Sequence, residues 1–424
     1  MDVVHERCAG LDVHKRTVVA CVLVPGEAGT VQTETATFST MLGELERLAG
    51  WLAERRVSHV ALEATGVYWK AVYNVLEGAD RWTVLVVNPE HVKAITGRKT
   101  DRADAQRLAF LVRHDLLSGS FIPAREQREL REVTRARTAL VRERARIVQR
   151  LEKTLEGANI KLGAVVTELL GTSGQAMLDA TLAGVSDPEE LAGLAHHKLA
   201  PKRELLVQAL AGRLTRPLRF LVQQHLDHWR ELDARITAFD AEIADLLRPF
   251  DALIARLDAI PGVGRRTAEI IVAEIGTDVD AFPSERHLAA WAGLCPGNRQ
   301  SGGRRKTART RHGNPWLKAA LTEAAWAASR CKDGYFQAQY HHLVPRRGRK
   351  RAIVAVAHSL ITALYFMLHH DVPFHDLGGD YFERRDRDRQ QQRAIATLRS
   401  LGYDVTLSPH PPTDSPTSSS PEAA

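Results

Sequence analysis

The order of the apolar segments in the first part of the chain is the strongest constraint on its fold. Three segments rich in β-branched residues follow one another with short polar turns between them, as expected for adjacent β-strands. After them, segments with helical periodicity alternate with short apolar strands. The pattern predicts strands at 9–13, 17–24, 31–38, 57–63 and 83–88, and helices at 41–54, 66–78 and from Pro89 onward. This βββαβαβα order predicts an α/β fold of the ribonuclease H type, a sheet flanked by helices.

The composition indicates a soluble protein with several domains. At 424 residues the chain exceeds what one compact core normally accommodates. Its four cysteines form no CxxC pair, which is typical of a reducing compartment. The N-terminal residues lack the order of a secretory signal, and the most apolar run, 352–368, is only 17 residues long and contains His358. We therefore expect a cytoplasmic protein with no membrane partner.

The middle of the chain has the pattern of long helices. Residues 125–153 carry ten basic and five acidic side chains, with apolar positions that recur every seven residues. Between 218 and 250, apolar residues alternate four and three apart for more than four heptads. Such a seam requires a helical partner. That partner lies either within the chain, as a helical hairpin, or in a second chain, as a coiled-coil dimer.

Four segments are expected along the chain. They are an α/β domain at 7–120, a helical region at 121–255, a mainly α-helical C-terminal domain at 256–382 and a tail at 383–424. The tail is predicted to be disordered because it has too few apolar residues to form a core. A net charge of +7 and a pI near 9.3 favour a polyanionic partner.

Four acidic residues are placed where a sheet edge and a helix face can bring them together. Asp12 ends the first predicted strand and Glu63 ends the fourth, while Asp101 and Asp104 share one face of a later helix. Four carboxylates from three elements can hold two divalent cations roughly 4 Å apart, an arrangement used in phosphoryl transfer. Oxygen ligands favour Mg²⁺ or Mn²⁺. Each acid alone is more often a cap or turn residue, so the hypothesis depends on the joint pattern.

A glycine turn, PGVG at 261–264, separates two segments with helical periodicity. Gly262 and Gly264, in a tight turn before a helix, expose backbone N–H groups that can bind a nucleic-acid phosphate. This pattern indicates a helix-hairpin-helix motif. A simple turn between helices is the alternative, because it needs only the permissive backbone of glycine.

A basic segment surrounds Ser301. Between residues 286 and 322 there is no acidic residue, which predicts a bound anion. A serine hydroxyl beside Gly302 and Gly303 can attack a phosphate whose developing charge is stabilised by guanidinium groups. From the residues alone, a loop serine that only contacts phosphate is favoured over a nucleophile. The cations of the segment are Arg286, Arg299, Arg304, Arg305, Lys306, Arg309, Arg311 and Lys318, and a second basic run, PRRGRKR, follows at 345–351.

Together these motifs resemble those of the DEDD-type insertion-sequence transposases of the IS one-ten family. The resemblance covers about residues 7–375. It includes GLDVHK, ALEATGVYW and KTDRADAQRLA in the N-terminal part, and IPGVGRRTAEIIVAEIG, WAGLCPGNRQSGG and RHGNPWLKAAL in the C-terminal part. The chain departs from the family at Gln300, where many members have a second serine or another small polar residue.

The resemblance implies a RuvC-like domain in which Asp12, Glu63, Asp101 and Asp104 bind Mg²⁺ or Mn²⁺. It implies that Ser301 is the nucleophile and forms a covalent phosphoserine link to DNA. It also implies a homo-oligomer, dimer or tetramer, joined by a coiled coil, and a structured guide RNA, the bridge RNA, that pairs with donor and target DNA. The protein is then expected at the nucleoid. Nucleic-acid contacts are assigned to Gly262, Gly264, Arg304, Arg305, Lys306, Arg309 and Arg311.

The activity implied is excision and insertion of a mobile DNA element by cutting and rejoining strands. Two other interpretations stay open. One is a RuvC-like junction nuclease, in which metal-activated water attacks and Ser301 only contacts DNA. The other is a non-catalytic helix-hairpin-helix protein that binds nucleic acid and whose acidic residues are structural.

Overall fold

The chain forms two compact units in the computed structural model, Met1–Glu129 and Leu130–Ala424. The structure describes residues 2–64, 66–78, 81–89, 100–297, 299–302, 304–307 and 309–406. The first unit contains a mixed β-sheet with flanking helices, and the described part of the second is almost entirely helical. The predicted combination of an α/β part and an all-α part is therefore confirmed.

The first unit is built on a five-stranded sheet. Strands β1, β2 and β3 pair antiparallel, while β4 and β5 continue the sheet parallel to β1. Helix α1 connects β3 to β4, and α2 connects β4 to β5. The strands are β1 (Cys8–Val13), β2 (Thr17–Pro25), β3 (Val31–Ser39), β4 (His59–Glu63) and β5 (Thr83–Val87), in the spatial order β3-β2-β1-β4-β5, and the helices are α1 (Leu42–Glu54) and α2 (Trp69–Glu77). This is the chain order that the sequence predicts, with each strand within two residues of its expected bounds.

The two faces of the sheet are covered by different helices. On one face, Leu11 and Leu62 are buried together with apolar side chains of α1 and α2. On the other face, Cys8 and Ala61 are buried under a third helix, α3 (Asp101–Arg113). Of the helix predicted from Pro89 onward, residues 90–99 lie outside the described residues. The described sheet is thus covered on both faces, as its nearly continuous apolar strands require.

Gly10 sets the distance between β1 and α3. A β-carbon at this position would lie 2.2 Å from the carbonyl oxygen of Ala105 and 2.4 Å from the amide nitrogen of Ala109. Protein Cβ atoms do not approach backbone atoms so closely, so only glycine allows this contact. On the same face, the thiol of Cys8 donates to the carbonyl oxygen of Ala109 at 3.4 Å. Helix α3 therefore runs antiparallel to β1, and its N-terminus lies towards the end of the strand that carries Asp12.

Long helices dominate the first half of the second unit. Ion pairs of Arg137 with Asp240 and of Arg144 with Asp233 show that α4 and α9 lie side by side and antiparallel. Much of the apolar seam predicted at 218–250 is buried within the chain on α9. Helices α4 and α9 thus form a helical hairpin within the chain, which is one of the two arrangements that the sequence left open. The helices are α4 (Arg125–Gly157), α5 (Leu162–Val165), α6 (Thr172–Ala183), α7 (Pro188–Gly193), α8 (Arg203–Leu210) and α9 (Arg216–Leu247).

The C-terminal half of this unit is organised around one apolar helix, α15. Its side chains at Val356, Leu360 and Leu364 are fully buried, and it packs against α12, α13 and α14. Among the described residues, α15 alone has the length and composition of a membrane span, and half of its apolar window is buried inside the chain. A core helix passes the same test, and the burial agrees with the core helix predicted at 352–368. The elements are α10 (Asp251–Asp258), α11 (Arg265–Ile275), α12 (Glu285–Trp291), β6 (Arg299–Ser301), β7 (Arg304–Thr307), α13 (Pro315–Ala328), α14 (Tyr335–Arg347), α15 (Arg349–His370) and α16 (Tyr381–Ser400).

The structure corrects the prediction of disorder from residue 383 onward. Residues Tyr381–Ser400 form helix α16, and Phe382 is buried and stacks on His342 and Tyr335 of α14. The composition of 383–400 has few apolar residues, but Phe382, just before the segment, attaches the helix to α14. Residues 407–424 of the predicted tail lie outside the described residues.

A buried carboxylate connects α4 to the C-terminal helices. Glu274 on α11 is fully buried, and Arg135 donates to both of its oxygens at 2.7 Å. Nε of Arg131 lies 3.4 Å from Oε2 of Glu274, and Nδ2 of Asn314 donates to the same oxygen at 2.6 Å. Asn314 also caps α13, because its side-chain oxygen accepts from the N–H groups of Trp316 and Leu317. The buried charge is thus fully paired, which is the condition for a stable buried carboxylate.

We expect Gly10→Ala to destabilise the first unit by about 2–3 kcal/mol, because the new methyl group overlaps the backbone of α3. Gly50→Ala is the matched control. Gly50 is exposed on α1 and a β-carbon there meets no atom within 4 Å, so alanine should stabilise by about 0.5–1 kcal/mol. Thermal unfolding of the two full-length variants tests the pair. Equal melting temperatures for Gly10→Ala and the parent would contradict the packing of α3 on β1.

Candidate metal centre and nucleic-acid surfaces

Two acidic residues lie at the ends of neighbouring parallel strands. Leu11 of β1 pairs with Leu62 of β4, and Asp12 and Glu63 each follow by one residue. Side chains alternate along a strand, so both carboxylates point away from the Leu11 side and towards the face that α3 covers. The strand register therefore places Asp12 and Glu63 side by side at the C-terminal ends of two inner strands, as predicted.

The other two acidic residues lie in the first turn of α3. Thr100 caps the helix, because its hydroxyl accepts from the N–H of Ala103 at 3.2 Å. Asp101 and Asp104 follow in that turn, where the partial positive charge of the helix N-terminus stabilises carboxylates. Because α3 runs antiparallel to β1 over Gly10, this turn lies at the strand end that carries Asp12. The acids from the sheet and from the helix thus face one another.

The closest contact in this group is made through a residue that the sequence analysis did not select, His14. Its Nε2 lies 3.2 Å from Oδ2 of Asp12 and 3.5 Å from Oδ1 of Asp101. Ligand atoms of these three residues all lie within 4.8 Å of one another, which suits a single metal ion. One signal was present in the sequence. In GLDVHK, positions 12 and 14 fall on the same side of an extended segment.

The electrostatics of Asp12 combine burial, two neighbouring carboxylates and one imidazole. Burial is the main cause that raises the pKa of Asp12, and the negative charges of Asp101 and Asp104 raise it further. His14 acts in the opposite direction and lowers it. Carboxylate oxygens with one imidazole are suitable ligands for a divalent cation, which would add positive charge beside the three carboxylates. The residues present therefore fit the cation that the sequence implies.

Ser301 lies in a β-ribbon of the second unit. Strands β6 and β7 pair antiparallel, with Ser301 opposite Arg304, and the ribbon continues inward through a bridge between Pro296 and Thr310. Gly302 takes a left-handed conformation, with φ of +56°, next to Ser301. Ser301 is therefore a residue at the tip of the ribbon. Asn298, Gly303 and Ala308 lie outside the described residues, as do the side chains of Ser301, Arg304, Arg305 and Lys306.

Two further residues that were predicted to contact nucleic acid lie at the base of the ribbon. Arg309 and Arg311 are both exposed. The carbonyl of Arg309 accepts from the N–H of Gly297 at 2.8 Å, and the N–H of Arg311 donates to the carbonyl of Cys295 at 3.3 Å. Their backbones thus belong to the ribbon, and both residues are exposed to solvent.

The two glycines of the PGVG turn have different environments. Gly262 has φ of +83°, and a β-carbon there would lie 2.4 Å from the carbonyl oxygen of Ala324 and from the amide nitrogen of Ala328 on α13. Packing against α13 is therefore sufficient to explain Gly262, which favours the simple turn at this position. Gly264 is the N-cap of α11 and has open space where a β-carbon would be. Only Gly264 leaves room for a ligand.

A basic elbow joins α14 to α15. Residues 345–351 are all exposed, and Gly348 makes the turn with φ of +76°. The first turn of α15 has no acidic residue but carries Arg349, Lys350 and Arg351, which oppose the helix dipole. Within the described part of the chain, none of the five cations of the elbow forms an ion pair. Uncompensated cations of this kind are typical of a surface that contacts phosphate groups.

Comparison with known families gives two matches. Residues 9–160 match DEDD_Tnp_IS110, a transposase family, and residues 254–341 match the transposase IS116/IS110/IS902 family. Together these matches span more than half of the chain. The first contains all four acidic residues at the strand ends and on α3, and the second contains the PGVG turn and Ser301.

Individual proteins give a similar result. A probable family 20 transposase of Pseudomonas aeruginosa is 27% identical over 316 residues, which are 73% of this chain and 83% of that protein. The pilin gene-inverting protein of Moraxella bovis is 30% identical over 157 residues, which are 35% of this chain and 47% of that protein. Among solved structures, RuvC of Thermus thermophilus has 17% sequence identity, covers 27% of this chain and 99% of its own, and gives a TM-score of 0.22. The fold assignment rests on the strand order and not on that score.

Asp12→Asn should raise the melting temperature in metal-free buffer at pH 7 to 8. The raised pKa means that the folded chain disfavours the ionised carboxylate, so removing its charge relieves a penalty that is complete above that pKa. The gain should shrink as the pH falls towards 4, because Asp12 of the parent then becomes protonated. Glu46→Gln, at an exposed position of α1, is the control and should change little.

The same variant should lose the stabilisation that Mg²⁺ or Mn²⁺ gives the parent, which is about 2.7 kcal/mol when the ion is at 100 times its Kd. Differential scanning fluorimetry with and without each ion measures both effects. A lower melting temperature for Asp12→Asn in metal-free buffer would contradict the electrostatic description of this site.

Proposed function

Because this chain belongs to the IS110 family of transposases, we propose that it is a DNA recombinase that excises and integrates an insertion sequence. The proposed reaction cuts DNA strands and rejoins them through a covalent intermediate, without net hydrolysis. The observation that carries the proposal is the close approach of Asp12 from β1 and Asp101 from α3 to His14, at the end of the sheet where Glu63 ends the neighbouring strand. We assign strand cleavage to residues 7–120 and 256–382, with residues 121–255 as a helical connection.

Asp12, Glu63, Asp101 and Asp104 are the residues that would hold Mg²⁺ or Mn²⁺. A bound divalent cation lowers the charge on a phosphate and stabilises the developing alkoxide. The half-buried Asp12, 16% exposed, and the more exposed Asp101, 63% exposed, leave one side of the site open to a DNA backbone. Acids that bind no ion would repel a phosphate, so the cation also permits the substrate to approach.

Ser301 is proposed as the nucleophile. Its Oγ forms a bond to the phosphorus of a phosphodiester, and the bond from that phosphorus to a deoxyribose oxygen breaks. The hydroxyl proton passes, in net terms, to the departing oxygen, which leaves a phosphoserine and a free strand end. A hydroxyl of the recipient strand then attacks the phosphoserine, which reseals the DNA and restores the serine. Placement at a ribbon tip, beside Gly302, supports this role because an exposed tip can reach into a DNA backbone.

The cations of the second unit are proposed to bind nucleic acid. Arg304, Arg305, Lys306, Arg309 and Arg311 on the ribbon would hold the phosphate that is cut. The basic elbow at 345–351 and the open N-terminus of α11 at Gly264 would contact phosphates elsewhere on the duplex. A structured guide RNA is proposed to select donor and target sequences, and the protein would act on double-stranded DNA at the nucleoid.

The proposed working form is a homo-oligomer, a dimer or tetramer. Much of the α9 seam is already buried in the chain, so an interface on this helix would use its exposed apolar side chains, Phe220, Leu221 and Leu246. The relative named as a pilin gene-inverting protein is consistent with a recombinase, because inversion requires that cut strands be rejoined.

Ser301→Ala should abolish both the protein–DNA adduct and the rejoined product. The substrate is a supercoiled plasmid that carries the element with its flanking DNA, incubated with the copurified RNA and a divalent cation. Adducts are detected as protein-linked DNA after denaturation with detergent. Ser118→Ala, in an exposed loop of the first unit, is the control and should retain full activity.

Asp104→Asn in the same assay should reduce strand cleavage by more than about 10²-fold, because a cation ligand is lost. If Ser301→Ala leaves cleavage intact, the chain is a metal-dependent nuclease that uses water. If Asp104→Asn also cuts normally, the acidic residues are structural and the chain is a nucleic-acid-binding protein.

A further inference from the structure

His14 occupies a fixed position beside the acidic residues. It follows β1 in the tight turn to β2, and its N–H donates to the carbonyl oxygen of Thr17 at 2.9 Å. The same hairpin pairs Val13 with Val18 and Asp12 with Val19, so the turn is held by the sheet. The backbone of His14 is thus anchored, whereas its side chain is 45% exposed.

The distances around its ring fit a shared ion. Ligand atoms about 2.1 Å from an octahedral cation lie about 3 Å apart along an edge of the octahedron. Nε2 of His14 lies 3.2 Å from the Asp12 oxygen and 3.5 Å from the Asp101 oxygen, close to that spacing. A cation between the three atoms would need only small side-chain adjustments.

We propose that His14 is a nitrogen ligand of the cation held by Asp12 and Asp101, and that it gives this site a preference for Mn²⁺ over Mg²⁺. The proposal rests on the metal site of the proposed function and specifies it further. Mg²⁺ binds almost entirely through oxygen, whereas imidazole nitrogen suits first-row transition metals. A nitrogen donor beside the carboxylate oxygens therefore shifts the selectivity of the site towards Mn²⁺.

A competing role for His14 is that of a cation that pairs with the carboxylates when no metal is bound. In that role His14 leaves when a metal enters, so its removal would change the affinities for Mg²⁺ and Mn²⁺ by the same factor. In the proposed role, removal weakens Mn²⁺ selectively. The ratio of the two affinities therefore separates the roles.

The test uses the full-length protein, freed of nucleic acid, as the parent, His14→Asn and a control, His114→Asn. Asparagine offers an oxygen donor in place of imidazole, and His114 belongs to the same unit but lies at the opposite end of α3, where its Nδ1 contacts the carbonyl oxygen of Asp2. Isothermal titration calorimetry with MnCl₂ and with MgCl₂ measures both affinities. Pulsed electron paramagnetic resonance of bound Mn²⁺ detects a directly coordinated imidazole nitrogen.

For His14→Asn we expect a loss of about tenfold or more in Mn²⁺ affinity, a change of less than about twofold in Mg²⁺ affinity, and disappearance of the nitrogen signal. His114→Asn should behave as the parent. A nitrogen signal that persists in His14→Asn, or equal losses for both ions, would overturn the assignment while leaving the metal site in place. If the parent binds neither ion, the metal site itself is refuted, and the assignment of His14 with it.

Discussion

Helix α3 lies on strand β1 at a distance that glycine alone permits, and the geometry of the acidic site depends on this contact. The backbone of Ala105 and Ala109 occupies the space where a side chain of residue 10 would be. Two residues further along the strand is Asp12, and one residue before Ala105 is Asp104. A small separation at Gly10 is therefore transmitted directly to the separation of the carboxylates. The parallel pairing of β1 with β4 determines the position of Glu63 relative to Asp12, because it places the two residues side by side.

Much of this arrangement was predictable, because it follows from periodicity. Strand ends place Asp12 and Glu63, and a spacing of three residues places Asp101 and Asp104 on one helix face. The parts that were missed depend on tertiary contacts. His14 was not selected because only folding shows that Asp101 lies within reach of its ring. The need for glycine at position 262 comes from its close contact with Ala324 and Ala328 of α13, which lie more than sixty residues away in sequence. The helix at 381–400 depends on Phe382, whose partners on α14, Tyr335 and His342, lie about forty or more residues earlier in the sequence.

Charge is distributed in this chain according to burial. Where a charge is buried in the second unit it is compensated, as at Glu274, which accepts from Arg135 and Asn314. Around Asp12, the negative charges of Asp101 and Asp104 raise its pKa while His14 lowers it, and the cations of the basic elbow form no ion pair within the described residues. Uncompensated charge lowers stability, and proteins tolerate it chiefly where a ligand supplies the opposite charge. A divalent cation at the first location and phosphate groups at the second would supply the opposite charge, in agreement with the proposed function.

The central claim is that carboxylates from the ends of β1 and β4 and from α3 form one site for divalent cations. The most direct measurement is anomalous X-ray diffraction at the manganese absorption edge, from crystals of the full-length protein soaked in MnCl₂. The account predicts at least one strong anomalous peak within about 2.3 Å of oxygens of Asp12 and of an acid from α3. A peak that lies elsewhere, or a site at Asp12 that stays empty at saturating Mn²⁺, would contradict it.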